Sequence, residues 1–184
     1  MYKRQGFFIG TKEETYVSTD VSLLTIPEVA KWLGDSNRDL TVFDGKRNIV
    51  AAHRLGLHLP DIAFDVLLAS YLINPDENSN DLGKIAEDHD YHDLPRDEDV
   101  YGKGAKRQVP EDKLLFEQFA RKSQALFALR PDLTEDLAKQ EQTDLFTDME
   151  MPLARVLAEM EIQGITLNAQ TLKDMGTELS LIHI

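Results

Sequence analysis

The chain has 184 residues, 42% hydrophobic and 29% charged, with no cysteine, and 20 Lys+Arg against 33 Asp+Glu leave a net charge of −13. This length suits one ordinary domain, or one plus part of another, and needs no disulfide or metal to fold; the missing cysteines exclude a disulfide framework, thiol catalysis and thiolate metal sites. No apolar run approaches the ~18 residues of a membrane span, Met1-Tyr2-Lys3-Arg4 opens no signal peptide, and the acidic balance argues against stand-alone nucleic-acid affinity, so the reading is a soluble cytoplasmic chain.

Gly6–Thr11 and Glu14–Thr19 are short, aromatic and β-branched, and separated by the polar Lys12-Glu13; they read as paired strands. Pro27 opens a short helix, with Thr25 placed to cap it, an apolar side of Val29, Trp32 and Leu33, and a stop at Gly34. Leu40–Phe43 reads as a short buried strand. A second helix follows to His53-Arg54 and ends at Gly56, a C′ position. Leu57–Phe64 is extended around Pro60. Asp65 then starts a helix that Asn74-Pro75 breaks, and its bland role is an N-cap worth about 1 kcal/mol. The order β-β-α-β-α-β-α predicts an α/β sheet flanked by helices.

Leu82–Asp88 is a small helix. Asp90–Gln108 has no sustained period and reads as a mobile loop. Within it Lys103, Lys106 and Arg107 form a basic spot beside a strongly acidic stretch, Glu87 to Asp99. From Pro110 a helix carries Leu115, Phe119, Ser123, Leu126 and Leu129 or Arg130 on one face, and Arg130-Pro131-Asp132 interrupts it. Met149, Leu153, Val156, Leu157 and Met160 step at helical intervals to Gly164. Ile165-Thr166-Leu167 is extended, and Asn168 caps a last helix through Leu172 and Met175.

The chain has no phosphate-binding glycine loop, no HExxH and no Ser/His/Asp order with catalytic spacing. His89 and His92 share a loop, where a solvated pair is the ordinary reading and a metal site the rarer one. A more specific signal is Asp148-Met149-Glu150-Met151-Pro152-Leu153, continuing through Val156-Leu157-Ala158-Glu159-Met160-Glu161-Ile162-Gln163-Gly164-Ile165. This run resembles the start of the polymerase domain of bacterial DNA polymerase I, the family-A repair and replication polymerase. Ile62-Ala63-Phe64-Asp65 through Tyr71-Leu72-Ile73-Asn74-Pro75 is similar to a helix of that family's exonuclease domain, and Tyr101-Gly102-Lys103-Gly104-Ala105-Lys106-Arg107 to its Gly-Lys-Gly loop. The resemblance is co-linear over nearly the whole chain.

It implies a ribonuclease-H-like (3′–5′ exonuclease-like) α/β fold, a mixed sheet flanked by helices with a C-terminal helical extension. Residues 1–143 would be the exonuclease-like domain lacking its first strand, and residues 144–184 the truncated start of the polymerase domain. Active members hold two divalent ions about 3.5–4 Å apart, and hard ions such as Mg²⁺ need oxygen ligands. The family supplies these as Asp-x-Glu on the first strand, Asn-x₃-Asp on a helix and Tyr-x₃-Asp on a late helix. Here the first motif would lie before Gly6. The second matches Asp44-Gly45-Lys46-Arg47-Asn48, with Asn48 in place of the carboxylate. The third matches Phe119-Ala120-Arg121-Lys122-Ser123, with Phe119 and Ser123 replacing tyrosine and aspartate. Two decoys have the right letters: Asp148-x-Glu150 lies on a helix, where alternate side chains diverge by about 200°, and Tyr16-x₃-Asp20 ends an early strand.

The resemblance therefore implies a fragment of a DNA polymerase I, a nucleotidyltransferase of DNA replication and repair. Its exonuclease-like domain keeps Asn48, Phe119 and Ser123 as vestigial positions and acts as a structural support. No cofactor is expected for this chain, Mg²⁺ serving active members, and neither polymerase nor exonuclease activity is expected of it alone. DNA is the expected partner through the full-length polymerase, with weak contact at Lys103, Lys106 and Arg107, no membrane and no small-molecule substrate. The alternatives are an active exonuclease with unconventional ligands such as Asp44 and Asp65, and an acidic protein-interaction module. Leu181-Ile182-His183-Ile184 does not resemble the family's continuation, which reads as a fragment end, and the Met149–Met160 stripe would then lack its usual partner.

Overall fold

A computed structural model describes residues 6–77 and 79–183; the reading of Met1–Arg4 and that of Ile184 lie outside them. The chain opens with an antiparallel hairpin, β1 (Phe7–Gly10) and β2 (Thr15–Ser18), in a register that places Phe8 opposite Val17. The turn is closed by the Thr11 amide donating to the Glu14 carbonyl, and the Thr11 hydroxyl accepts from the amides of Glu13 and Glu14. A 3₁₀ turn, Val21–Thr25, then runs into α1 (Pro27–Leu33). Thr25 does not cap α1. Its hydroxyl donates back to the Ser22 carbonyl, because Asp20 has already nucleated the preceding turn by accepting from Ser22. Trp32 also departs from the expected apolar face: it is exposed, with the Arg38 guanidinium 4.0 Å over its ring.

Short β3 (Thr41–Val42) leads into α2 (Gly45–Arg54), and β4 (Phe64–Asp65) into α3 (Val66–Ile73). β3 and β4 pair in parallel, Thr41 with Phe64 and Val42 with Asp65, so the starts of α2 and α3 lie side by side. Gly56, at φ 74°, ends α2 as expected: its amide donates to the His53 carbonyl and that of Leu57 to the Ala52 carbonyl, the double bond of a Schellman cap. The expected mixed pairing is present, and among the described residues it takes the form of two separate two-stranded sheets.

α4 (Leu82–Asp88) follows its predicted bounds, capped by Asp81. The segment 90–108, expected to be mobile, is instead tied down. It holds α5 (Asp97–Tyr101) and a 3₁₀ turn, Gly104–Lys106, and its Leu94 is buried. The Asp97 amide donates to Asp81 Oδ2, Gln118 Nε2 to the Pro95 carbonyl and Arg121 to the Asp93 carbonyl. None of these long-range partners leaves a periodic trace in the sequence.

The spine is α6 (Asp112–Lys139), 28 residues long, which runs through Pro131 rather than stopping at it. Leu126, Leu129, Leu133 and Leu137 bury one continuous face on both sides of the proline. That burial outweighs the missing N–H and the ring's conflict with the preceding turn, together worth about 3 kcal/mol. Leu145–Glu150 forms a wider π-helical stretch that passes directly into α7 (Met151–Gln163), and α8 (Ala169–His183) follows under an Asn168 cap. Phe146 from the π stretch is buried with its ring 5.1 Å from Phe64, so the core formed by α3, α4 and α6 takes in residues on both sides of position 143.

Candidate functional site

Phe119 and Ser123 lie one turn apart on the face of α6 that packs on the hairpin. Ser123 is 2% exposed, and the Thr15 hydroxyl on β2 donates to its Oγ at 3.2 Å. The Phe119 ring lies 6.1 Å from that of Phe8 on β1. The fit depends on two glycines: a Cβ on Gly10 would fall 1.8 Å from Ser123 Oγ, and one on Gly6 would fall 2.5 Å from the Phe119 ring. Helix and strand are in direct contact here. The spacing of Gly6 and Gly10 around the apolar Phe7-Phe8-Ile9 was a readable sign of close backbone approach.

Asn48 is exposed on α2, and its Nδ2 donates to the carbonyls of Phe43 and Asp44 at 2.8 and 2.9 Å. Mg²⁺ requires several oxygen donors, preferably anionic. Phe119 has none, the Ser123 hydroxyl is neutral and packed under β1, and the Asn48 amide is turned onto its own helix start. These residues do not fit a pair of divalent ions. The Tyr16-x₃-Asp20 decoy is engaged elsewhere: the Tyr16 hydroxyl donates to Glu14 Oε2, and Asp20 caps its turn. Among the described residues no group of three His, Cys, Asp or Glu side chains is placed to hold a metal.

Asp65 does more than cap α3. It is 2% exposed, and its carboxylate accepts from three backbone amides: Leu67 at 3.0 Å, Asp44 at 3.1 Å and Gly45 at 2.6 Å. It thereby binds the starts of α2 and α3 to each other, with the dipoles of both helices favouring its charge. Burial nevertheless pushes its carboxyl above the usual range, more strongly than the amides of Gly45, Leu67 and Asp44 pull it down. Asp44, at φ 61°, turns its own carboxylate back to accept from the Arg47 amide. Both aspartates thus spend oxygens on backbone donors.

The basic spot is only partly free. Lys103 pairs with Glu98 at 2.9 Å, and the Arg107 guanidinium stands 5.7 Å from the Tyr101 ring, while Lys106 is exposed. Burial, reinforced by Asp97 and opposed by Arg107, pushes the Tyr101 hydroxyl up to about 12. Lys122, next to Ser123, turns away from the hairpin to pair with Asp97 at 2.7 Å. The three residues expected at vestigial positions are therefore divided: Phe119 and Ser123 share the α6–hairpin contact, and Asn48 stands at the start of α2.

α7 is clamped to this module by Arg155, which sequence reasoning missed. Its guanidinium donates to the Leu59 and Pro60 carbonyls and pairs with Asp61 at 3.1 Å, while Lys46 on α2 meets Glu161 at 2.7 Å. A family model described as DNA polymerase I, ribonuclease H-like domain, matches residues 2–129. Over 175 residues, 95% of this chain, it is 42% identical to a DNA polymerase I of Geobacillus stearothermophilus; over 176 residues it is 40% identical to that of Bacillus subtilis (strain 168). A DNA polymerase I of Streptococcus pneumoniae is 37% identical over 177 residues. The chain spans about one fifth of the length of these curated relatives, 20% in each case. The co-linear motifs, the α/β architecture and these identities together place the chain in the DNA polymerase I family, as a piece that carries its ribonuclease-H-like domain.

Proposed function

We propose that this chain is a ribonuclease-H-like module of a DNA polymerase I that no longer cuts DNA and serves as a structural support for the polymerase part. The observation that carries the proposal is the contact between α6 and β1. Where active members need an ionised carboxylate, Ser123 lies buried against Gly10, and Phe119 lies against Gly6 and Phe8. Cutting a phosphodiester by two ions needs anionic oxygens around both. Asn48, Phe119 and Ser123 are neutral, and Asp44 and Asp65 hold backbone amides, so no observation favours the reading in which those aspartates act as ligands.

In this proposal residues 1–143 form the exonuclease-like domain and residues 144–184 open the polymerase domain, held to it through Arg155, Phe146 and the Lys46–Glu161 pair. DNA is engaged by the whole polymerase. Lys103, Lys106 and Arg107 add at most weak contact, since Glu98 already neutralises one of them. The test is incubation of the purified chain with 3′-labelled single-stranded DNA and Mg²⁺ or Mn²⁺. The label is expected to remain at the level of a protein-free control. Metal-dependent trimming that a chelator abolishes would overturn the proposal.

A further inference from the structure

We propose that Asp44-Gly45 is a covalent modification site, at which Asp44 isomerises to isoaspartate, and that Asp65 guards it while the start of α2 stays seated. Of the ten glycines, only Gly45 follows an aspartate or an asparagine. With no Cβ beside it, a glycine nitrogen is an unhindered nucleophile toward the preceding side chain. In the reaction the Gly45 nitrogen attacks Asp44 Cγ, an N–Cγ bond forms, and the amide hydrogen leaves with the carboxyl OH as water. Water then adds to the resulting succinimide. Breaking the new N–Cγ bond returns aspartate. Breaking the bond from nitrogen to the former main-chain carbonyl leaves the chain running through Cγ, which is isoaspartate. No oxidant, metal or second protein is consumed.

Both reacting groups are held in other bonds. Gly45 is buried, and its N–H donates to Asp65 Oδ2 at 2.6 Å. The Asp44 carboxylate is turned onto α2, where it accepts from the Arg47 amide at 3.1 Å. The main chain of Asp44 is pinned as well. Its N–H donates to Asp65 Oδ1 at 3.1 Å, and its carbonyl accepts from the Asn48 amide and side chain. Asp44 stands at φ 61° and ψ 72°, a left-handed conformation that a residue with a Cβ keeps only where its surroundings over-determine it. Ring closure needs Cγ and the Gly45 nitrogen to turn face to face, a near-attack geometry that requires rotation about the bonds these contacts fix.

The release is local. The Asp65 carboxylate, itself fixed by the Leu67 amide at 3.0 Å, ties both reacting residues to the start of α3. Asp44 is half-buried, so opening the first turn of α2 frees its carboxyl and admits the water of the second step without unfolding the core. The product does not fit the old seat. Isoaspartate inserts Cβ into the main chain and turns the former Asp44 carbonyl, which accepts the bond from the Asn48 amide, into a free carboxylate. Gly45 has little room to follow the shift: even a Cβ there would fall 3.0 Å from Asp65 Oδ2 and from Ile62 Cδ1. Isomerisation therefore loosens the joint between α2 and α3.

The test is incubation of the folded chain near neutral pH at physiological temperature. Isoaspartate is read in the tryptic peptide of residues 39–46, by its altered retention and by methyl transfer from an isoaspartyl methyltransferase. Wild type, Asp65→Ala and Gly10→Ala are compared, and each is also incubated in concentrated urea to give the rate of the unguarded pair. Gly10→Ala lowers stability through Ser123 at the hairpin, so it separates local release from global unfolding. Wild type is expected to form isoaspartate at least about tenfold more slowly than in urea, equivalent to about 1.4 kcal/mol of local opening. Asp65→Ala should approach the urea rate, and Gly10→Ala should stay near wild type. Asp65→Asn satisfies only part of the same amides and should fall between, which preserves the comparison if Asp65→Ala does not fold. The isomerised wild-type fraction, once separated, should unfold at lower urea than its parent. A wild-type rate equal to that in urea would overturn the proposal. So would equal acceleration by Gly10→Ala and the Asp65 variants, or no acceleration in either Asp65 variant.

Discussion

Asp65 joins two helix starts through one buried carboxylate, and its removal should be felt at both. Asp65→Ala loses an N-cap worth about 1 kcal/mol and leaves further amides without an acceptor at about 1–3 kcal/mol, so we expect destabilisation of about 3 kcal/mol in urea unfolding. The pH dependence has an unusual sign. Because burial raises this carboxyl, the folded protein holds the proton more tightly than the unfolded chain does. The corresponding stabilisation is present at low pH and is lost as pH rises through the raised value. Asp65→Asn lacks this dependence. The stability gap between wild type and Asp65→Asn should narrow as pH rises through the raised value and level off above it; a widening gap would contradict the assignment. Gly10 is the second such residue. Gly10→Ala should cost about 1–3 kcal/mol by driving a methyl into Ser123 Oγ. Ser123→Ala should restore part of that loss, because the nearest atom then becomes the Ser123 Cβ at 3.2 Å, and a double-mutant cycle by thermal unfolding measures the coupling.

At the level of elements, α6 shows how far tertiary burial can carry a helix past a local stop. The sequence reads Arg130-Pro131-Asp132 as an interruption because it weighs only the proline and its predecessor. In the fold, Arg130 reaches β3, donating to the Thr41 hydroxyl at 2.8 Å and pairing with Asp39 at 2.9 Å, while Leu129 and Leu133 close over the core on either side. Pro131 itself is exposed, so Pro131→Ala should stabilise the chain. The helix gain of about 3 kcal/mol, less about 0.4–1 kcal/mol of unfolded-state entropy and some relief already taken up locally, leaves about 1–2 kcal/mol as the expected rise in urea unfolding. No change, or a loss, would contradict this expectation. The elements with strong local punctuation were legible: the bounds of α4, the Gly56 stop of α2 and the Asn168 cap of α8. Segment 90–108 was not, because Asp81, Gln118 and Arg121, which hold it, lie outside it in sequence.

For the whole molecule, charge sets the terms of any encounter with DNA. A net charge of −13 repels phosphate, and the basic spot at Lys103, Lys106 and Arg107 spends Lys103 on Glu98 and Arg107 beside Tyr101. Fluorescence anisotropy with single-stranded DNA should therefore give weak binding that vanishes by about 0.2 M salt and is lost in a Lys103→Ala, Lys106→Ala, Arg107→Ala triple variant. Tight binding that persists in salt would show a DNA surface elsewhere. Among the described residues no helix is long and apolar enough to cross a membrane.

Residue order alone was enough for the family resemblance and the alternation of strands and helices, because identity, periodicity and turn chemistry are local properties. Three further features came from contacts between residues far apart in the chain: Ser123 and Phe119 pressed onto the glycines of β1, Asp65 shared by two helix starts, and α7 fastened by Arg155 to the loop at Leu59–Asp61. A side chain's partners depend on which distant segments the fold brings within a few ångströms of it, and burial then sets the cost of leaving those partners unmatched.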